Sequence, residues 1–90
     1  MKVQYEIKIK GRVQGVGFRD FVRRKAAEFN IKGWVKNTRD DVLIMARGDE
    51  KDMETFMDHL KRGPSRAIVK DMNKTKMPGL DDFSGFKIRF

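Results

Sequence analysis

The sequence contains no cysteine, and this absence excludes several kinds of chemistry. Without thiols there is no disulfide framework, no thiolate zinc site and no cysteine nucleophile. Histidine occurs once and proline twice among the 90 residues. The histidine, His59, lies beside the apolar stripe of a predicted helix, a position typical of a surface or boundary residue. The usual pairs of nucleophile and base therefore cannot be assembled from this chain.

Long apolar runs are absent as well. The longest, Val42 to Ala46, is far too short to span a bilayer. The first residues carry charges at positions where a signal peptide needs an apolar segment. We therefore expect a cytoplasmic protein without a membrane partner.

The charge of the chain is strongly positive. Lysine and arginine total 21 against 13 aspartates and glutamates, which gives a net charge of +8. Such an excess favours an anionic partner but carries no information about the fold. The basic residues are interleaved with acidic ones, which argues against a dedicated nucleic-acid-binding tail. The length and the 39% hydrophobic content predict one folded domain spanning residues 1–90.

Hydrophobic periodicity predicts the element order β-α-β-β-α-β, followed by a short terminal strand. Strand patterns cover 2–10, 33–38, 42–45, 67–72 and 86–90, and helical patterns cover 18–29 and 49–62. Asp49 is expected to cap the second helix. The third strand is apolar on both faces and should lie centrally in the sheet. This order predicts an α+β fold, the ferredoxin-like (split β-α-β) sandwich, with two helices on one face of an antiparallel sheet of four to five strands.

The glycine-rich segment between the first strand and the first helix is the most informative part of the chain. Glycine tolerates positive φ and lets the backbone approach a ligand closely. The helix behind it directs free amides and the positive end of its dipole toward the loop, a combination that favours anions. Arg19, in the first turn of that helix, is disfavoured there unless an anion binds. The spacing alone is a weak signal, because it matches neither a P-loop nor a dinucleotide fingerprint, and a tight turn with an incidental arginine is the alternative.

Two adjacent carboxylates, Asp40 and Asp41, stand between the second and third strands. Two neighbouring side chains seldom converge on one metal ion without further ligands. A charged hairpin turn is therefore the favoured interpretation of this pair.

The glycine-rich segment closely resembles the signature of the acylphosphatase family. It reads Gly11-Arg12-Val13-Gln14-Gly15-Val16-Gly17-Phe18-Arg19. A second block is similar to the family's G-W-V-[KR]-N and stands at the family's distance from the first; it reads Gly33-Trp34-Val35-Lys36-Asn37. The Gly63-Pro64 step and the terminal Phe86-x-Ile88 also follow the family pattern. The resemblance thus extends over essentially the whole chain.

This resemblance implies a hydrolase of acyl phosphates that uses no metal and no cofactor. The substrate would be a small-molecule acyl phosphate, the products a carboxylate and inorganic phosphate, and the expected state a monomer. It implies that the phosphoryl group is held by the loop amides of Gln14, Gly15, Val16, Gly17, Phe18 and Arg19. Arg19 matches the family's phosphate-binding arginine, and Asn37 matches the asparagine that positions the attacking water. The missing base is consistent with this chemistry, because a carboxylate leaves without a general acid and an asparagine holds water without titrating.

The turn after the second strand departs from the family pattern. Acylphosphatases usually have a glycine after the aspartate, whereas Asp40 is followed here by Asp41 in a turn one residue shorter. A turn of this length resembles the acylphosphatase-like domain of hydrogenase-maturation carbamoyltransferases. Those proteins continue into cysteine-rich zinc modules and this chain ends at Phe90, so we expect a free-standing enzyme. The short turn puts the hairpin register near Asn37 in question.

Two other functions fit the same topology. An RNA- or DNA-binding module would expose aromatic side chains on its central strands. Here the third strand has none, and Tyr5 of the first strand falls on the apolar face, so nucleic acid is not an expected partner. The second alternative is a domain that binds an anion and catalyses nothing, which only an activity assay separates from an enzyme.

Overall fold

A computed structural model describes the whole chain, residues 1–90. Its elements are β1 (Lys2–Arg12), α1 (Phe18–Glu28), β2 (Lys32–Asn37), β3 (Val42–Asp49), α2 (Glu50–Arg62), β4 (Ile68–Lys76) and β5 (Phe86–Arg89). This is the ferredoxin-like α+β order that the periodicity predicts. Neither helix has the length and apolar character that crossing a bilayer requires.

The five strands form one sheet in the order β4-β1-β3-β2-β5. The predicted central position of β3 is confirmed, with β1 on one side of it and β2 on the other. The sheet is mixed and not wholly antiparallel, because β5 pairs parallel to β2. The cause is the connection 77–85, which leaves β4 at one edge and returns along the opposite edge. The strands β1, β2 and β5 consequently run in the same direction.

One face of the sheet is buried under both helices. Alternate residues of the central strands supply it, among them Ile7, Ile44 and Val35, which are adjacent across three strands and fully buried. The helices contribute stripes that the sequence pattern predicts. The stripe of α1 includes Phe18, Val22 and Ala26, and that of α2 consists of Met53, Phe56, Met57 and Leu60. The core lies between these two layers.

Several element boundaries differ from the pattern. The strand β3 continues to Asp49 instead of stopping near Met45, because its second half pairs with the start of β1. The strand β4 reaches Lys76 for the same reason, since it pairs with β1 as far as Tyr5. Both extensions are polar segments whose partners lie far away along the chain. The pairing of β4 with β1 contains a shift of register opposite Lys10 and Gly11.

Candidate active site

A cavity of about 220 Å³ lies where the carboxyl ends of β1, β2 and β5 meet the N-terminus of α1. Its walls are formed by Val13, Gly15, Gly17, Phe18, Arg19, Asp20, Asn37, Ile88 and Phe90. The two blocks of the sequence resemblance therefore meet in one place, although they are separated along the chain. Gln14 and Val16 belong to the loop but do not line the cavity.

The loop adopts backbone conformations that explain two of its glycines. Gly15 has a φ of 72° and Gly17 a φ of 76°, in the left-handed region that L side chains rarely adopt. A Cβ added at either position would meet nothing within 4 Å, so conformation and not crowding demands glycine there. None of the nine backbone hydrogen bonds outside the helices and strands is donated by residues 14–19. The loop amides thus remain available to a ligand.

The N-termini of the two helices are capped differently. Asp49 caps α2, and its side chain accepts a hydrogen bond from the backbone N–H of Lys51 at 3.3 Å. The N-cap of α1 is Gly17, which has no side chain to accept from the first turn. The first-turn amides of α1 therefore have no capping side chain and remain free to donate to an anion, although one carboxylate, Asp20, lies in the same turn.

Arg19 enters the cavity from the first turn of α1 and is held by the C-terminal strand. Its Nη1 donates a hydrogen bond to the backbone oxygen of Arg89 at 3.0 Å. Its guanidinium carbon lies 4.7 Å from the centre of the Phe90 ring. A cation over an aromatic face is attracted to the ring. The two contacts fix the orientation of the guanidinium in the empty site while most of its five N–H donors stay free.

Asn37 is the last residue of β2 and pairs with Val42 of β3. Its side-chain oxygen Oδ1 is inaccessible to solvent and has no hydrogen-bond partner. Buried polar atoms without a partner are rare in folded proteins, and each asks for an explanation. The residue lines the cavity, but Oδ1 itself is not exposed to solvent there.

The side chain of Gln14 ties the loop to the turn after β2. Its Nε2 donates to the backbone oxygens of Thr38 at 2.9 Å and of Asp41 at 3.0 Å. Thr38 also donates its N–H to the oxygen of Asp41 at 2.9 Å, which closes the turn. None of these turn residues has a positive φ, so the turn needs no glycine. The register next to Asn37 is intact despite the short turn.

Comparison with known proteins decides the family. A family model described as acylphosphatase matches residues 5–88. An acylphosphatase of Caldivirga maquilingensis is 38% identical over 90 residues, covering 98% of this chain and 95% of that relative. The crystal structure of acylphosphatase from Bacillus subtilis superposes with a TM-score of 0.95 at 38% identity, covering 98% of this chain and 99% of that one. The chain belongs to the acylphosphatase family.

Membership of the acylphosphatase family makes the protein an enzyme, a hydrolase that acts on acyl phosphates and releases phosphate. The chain is also 38% identical over 89 residues to a probable carbamoyltransferase HypF of Methanocaldococcus jannaschii, but it covers only 12% of that protein. The acylphosphatase of Caldivirga maquilingensis, by contrast, matches over nearly its whole length.

Asp20 is the one acidic side chain in the wall of the cavity of this acylphosphatase. Its carboxylate accepts hydrogen bonds from Arg23 at 2.9 Å and from Arg24 at 3.1 Å. The hydrogen bond from Arg23 is the main cause that lowers the pKa of Asp20 below its ordinary value of 3.8. The carboxylate is thus ionised at neutral pH, and two cations on its own helix offset the repulsion that it would exert on an anionic ligand.

Three contributions to the site do not follow from the sequence pattern alone. Ile88 and Phe90 line the cavity, and Arg89 provides the carbonyl that holds Arg19. The alternation of the last strand predicts a strand at this point but not its neighbour in the sheet. The hydrogen bonds from the Gln14 side chain to the turn could not be predicted from the sequence either, because the resemblance implies a role only for the backbone amide of Gln14.

Three residues for which the sequence favours no catalytic or metal-binding role, His59, Asp40 and Asp41, do not line the cavity. The ring of His59 packs on Phe29, with 5.0 Å between the ring centres. Asp40 and Asp41 belong to no group of three side chains able to hold a metal ion.

Proposed function

We propose that the enzyme hydrolyses the carboxyl–phosphate bond with Arg19 and the loop amides holding the phosphoryl group and Asn37 holding the attacking water. The amides in question are those of residues 14–19, which donate no backbone hydrogen bond outside the helices and strands. Phosphoryl transfer depends on positioning and on stabilising charge at the equatorial oxygens, and these groups provide both. A planar guanidinium that binds two oxygens at once suits Arg19 for this role.

The observation that carries the proposal is the unpartnered Oδ1 of Asn37 in the wall that Arg19 also lines. A water molecule donates to a carbonyl oxygen and can simultaneously accept from a neighbouring N–H. Water bound at Asn37 would satisfy this acceptor once the side-chain amide turns so that Oδ1 faces the cavity. The oxygen of that water would also be directed toward a phosphoryl group seated in the loop.

The proposed step balances without a protein base. The water oxygen forms a bond to phosphorus, and the bond from phosphorus to the acyl oxygen breaks. The carboxylate leaves with the electron pair, and the proton of the water passes to an oxygen of the phosphoryl group. A carboxylate is a weak base, so no general acid is needed to assist its departure.

The test is phosphate release from a simple acyl phosphate, such as benzoyl phosphate, in the presence of a metal chelator. Arg19→Gln should lower kcat/KM by about 100-fold or more, because it removes the charged donor from the transition state. Asn37→Ala should lower kcat by about 100-fold, because the water is no longer held in position. Lys25→Gln is the matched control: it removes one positive charge from the same helix at a residue that neither lines the cavity nor bonds to Asp20.

The two variants separate binding from water positioning. Asn37→Ala should still bind inorganic phosphate, whereas Arg19→Gln should bind it weakly. Between pH 5 and 8 the wild-type rate should not show a steep limb that belongs to the enzyme. An active Arg19→Gln variant with the native fold would refute the assignment of Arg19, and a steep enzymatic limb near neutrality would refute the transfer of the proton to substrate.

A further inference from the structure

A second cavity lies at the opposite end of the sheet from the active site. It has a volume of about 100 Å³ and is lined by Lys2, Asn30, Lys32, Arg47 and Gly48. These residues come from the start of β1, the segment after α1, the start of β2 and the end of β3. The active-site cavity is at the other ends of β1 and β2, so the two cavities share no residue.

The three cations of this cavity form no salt bridge, although Lys2 stands opposite Asp49 in the β1–β3 pairing and its charge is a minor cause, after the N–H of Lys51, of the lowered pKa of that carboxyl. No carboxylate lies within salt-bridge distance of Lys2, Lys32 or Arg47; the ion pairs of the protein join other residues. Lys32 and Arg47 are directly paired across β2 and β3, so two like charges are neighbours on the sheet. Such an arrangement is unfavourable unless a negative charge is bound between them.

The guanidinium of Arg47 makes no hydrogen bond within the protein. Its Nε is inaccessible to solvent and donates to nothing. This is the only buried side-chain donor of the protein without a partner, and the other orphaned atom is the acceptor of Asn37 in the active site. Arginine binds oxyanions through its N–H donors, and the Nη1 and Nη2 groups of Arg47, which line the cavity side of the guanidinium and donate to no protein acceptor, are the ones that an anion could reach.

Neighbouring groups of the protein do not satisfy these cations. The carboxylate of Asp49 already accepts from the N-terminal amine at 3.4 Å and from the N–H of Lys51 at 3.3 Å. At the end of α1, the oxygens of Lys25 and Ala26 accept from the N–H groups of Phe29 and Ile31. None of the three cations donates a side-chain hydrogen bond to the other oxygens of that helix end.

We propose that this basic cavity is a second anion-binding site, for a tetrahedral oxyanion of the phosphate type. Its volume of about 100 Å³ admits a small ion or a terminal phosphate group. No apolar side chain lines it. The shared chemistry is a phosphate group, either free inorganic phosphate or the phosphate of a monoester.

The experiment is a titration of the ¹⁵N-labelled protein followed by amide chemical shifts. Inorganic phosphate is the first probe and glycerol phosphate the second, so that the two arms distinguish a free ion from a monoester. Amides of Lys32, Arg47 and Gly48 should shift together as one set. In Arg19→Gln, the affinity for phosphate reported by the amides of the active-site loop should fall, whereas the affinity reported by the second set, Lys32, Arg47 and Gly48, should stay the same.

Arg47→Met should weaken the second set about ten-fold or more, because a charge-assisted hydrogen bond is lost, and should leave hydrolysis unchanged. If Arg47→Met fails to fold, Lys32→Met tests the same site. Lys8→Met is the matched control, an exposed cation elsewhere on the same sheet. The proposal is overturned if neither probe shifts these amides, if both cavity variants keep the wild-type affinity, or if Lys8→Met weakens binding equally.

Discussion

Arg19 occupies a position that is unfavourable for the empty protein. A cation in the first turn of a helix opposes the dipole at a cost of roughly 0.3–1 kcal/mol when exposed. Its contacts with the Arg89 oxygen and the Phe90 ring offset part of this cost and restrict the guanidinium to one orientation. In the proposed complex, a doubly charged phosphoryl group would attract both the guanidinium and the positive end of the helix dipole, and this attraction would outweigh their mutual repulsion.

Replacement of a single loop glycine tests whether loop conformation matters. Gly17→Ala should destabilise the fold by roughly 1–2 kcal/mol, because alanine is strained at a left-handed φ of 76°. It should also lower phosphate affinity if the loop relaxes. Urea unfolding and a phosphate titration measure the two effects.

Gly79→Ala is the control for this substitution. A Cβ at Gly79 meets nothing within 4 Å, and the backbone there has no left-handed φ. The control should stay within about 0.5 kcal/mol of wild type. If Gly17→Ala is as stable as Gly79→Ala, the loop does not require its left-handed conformation.

At the scale of elements, the site depends on how the loop after β1 is joined to the hairpin of β2 and β3. The two hydrogen bonds of the Gln14 side chain connect these two segments. They connect the segment proposed to hold phosphate with the turn that follows Asn37. A shift of either element would separate the two halves of the proposed site.

Gln14 and Gln4 make similar hydrogen bonds, so replacing each of them separates an effect on kcat from an effect on the stability of the fold. Gln14→Leu should destabilise the fold by about 1–3 kcal/mol through two lost hydrogen bonds and should lower kcat. Gln4 also makes two hydrogen bonds, both with Asp81 in the connection 77–85, at 2.8 and 2.7 Å. Gln4→Leu should therefore destabilise to a similar extent with kcat unchanged. Equal kcat values in the two variants would contradict a positioning role for Gln14.

At the scale of the whole molecule, acid should weaken the fold. The pKa values of Asp20 and Asp49 are both lowered, that of Asp20 chiefly by its hydrogen bond with Arg23 and that of Asp49 chiefly by the backbone N–H of Lys51. Groups with a lowered folded-state pKa stabilise the protein above their ordinary value of 3.8. That contribution is lost as the pH falls through the lowered value. Neutralised carboxylates also increase the repulsion within a chain that already carries +8.

Urea unfolding at pH 7, 5, 4 and 3 measures this dependence. The midpoint should change little from pH 7 to 5 and fall below pH 4. In Asp20→Asn the fall should be shallower, because one of the two responsible carboxylates is gone. A variant curve that runs parallel to wild type would show that the ion pairs of Asp20 contribute nothing to the acid response.

Local patterns in the sequence predicted much of this architecture. The apolar alternation of β1, the stripe of α2 and the cap at Asp49 are confirmed, because periodicity and capping depend on residues close together in the chain. The contacts of Arg19 with Arg89 and Phe90 could not be predicted from local patterns. They depend on the parallel pairing of β5 with β2, which joins segments about fifty residues apart. The orphaned Nε of Arg47 likewise follows only from packing.

The order of the strands also bears on how the protein behaves at high concentration. An outermost strand offers unpaired N–H and C=O groups to which another chain can add, and this is a common route to fibrils. The outer strand β4 carries exposed lysines at positions 70, 74 and 76, and β5 is short and contains Lys87 and Arg89. Two copies that approach edge to edge therefore bring like charges together. The same excess of positive charge that attracts a phosphorylated substrate keeps the sheets of neighbouring molecules apart.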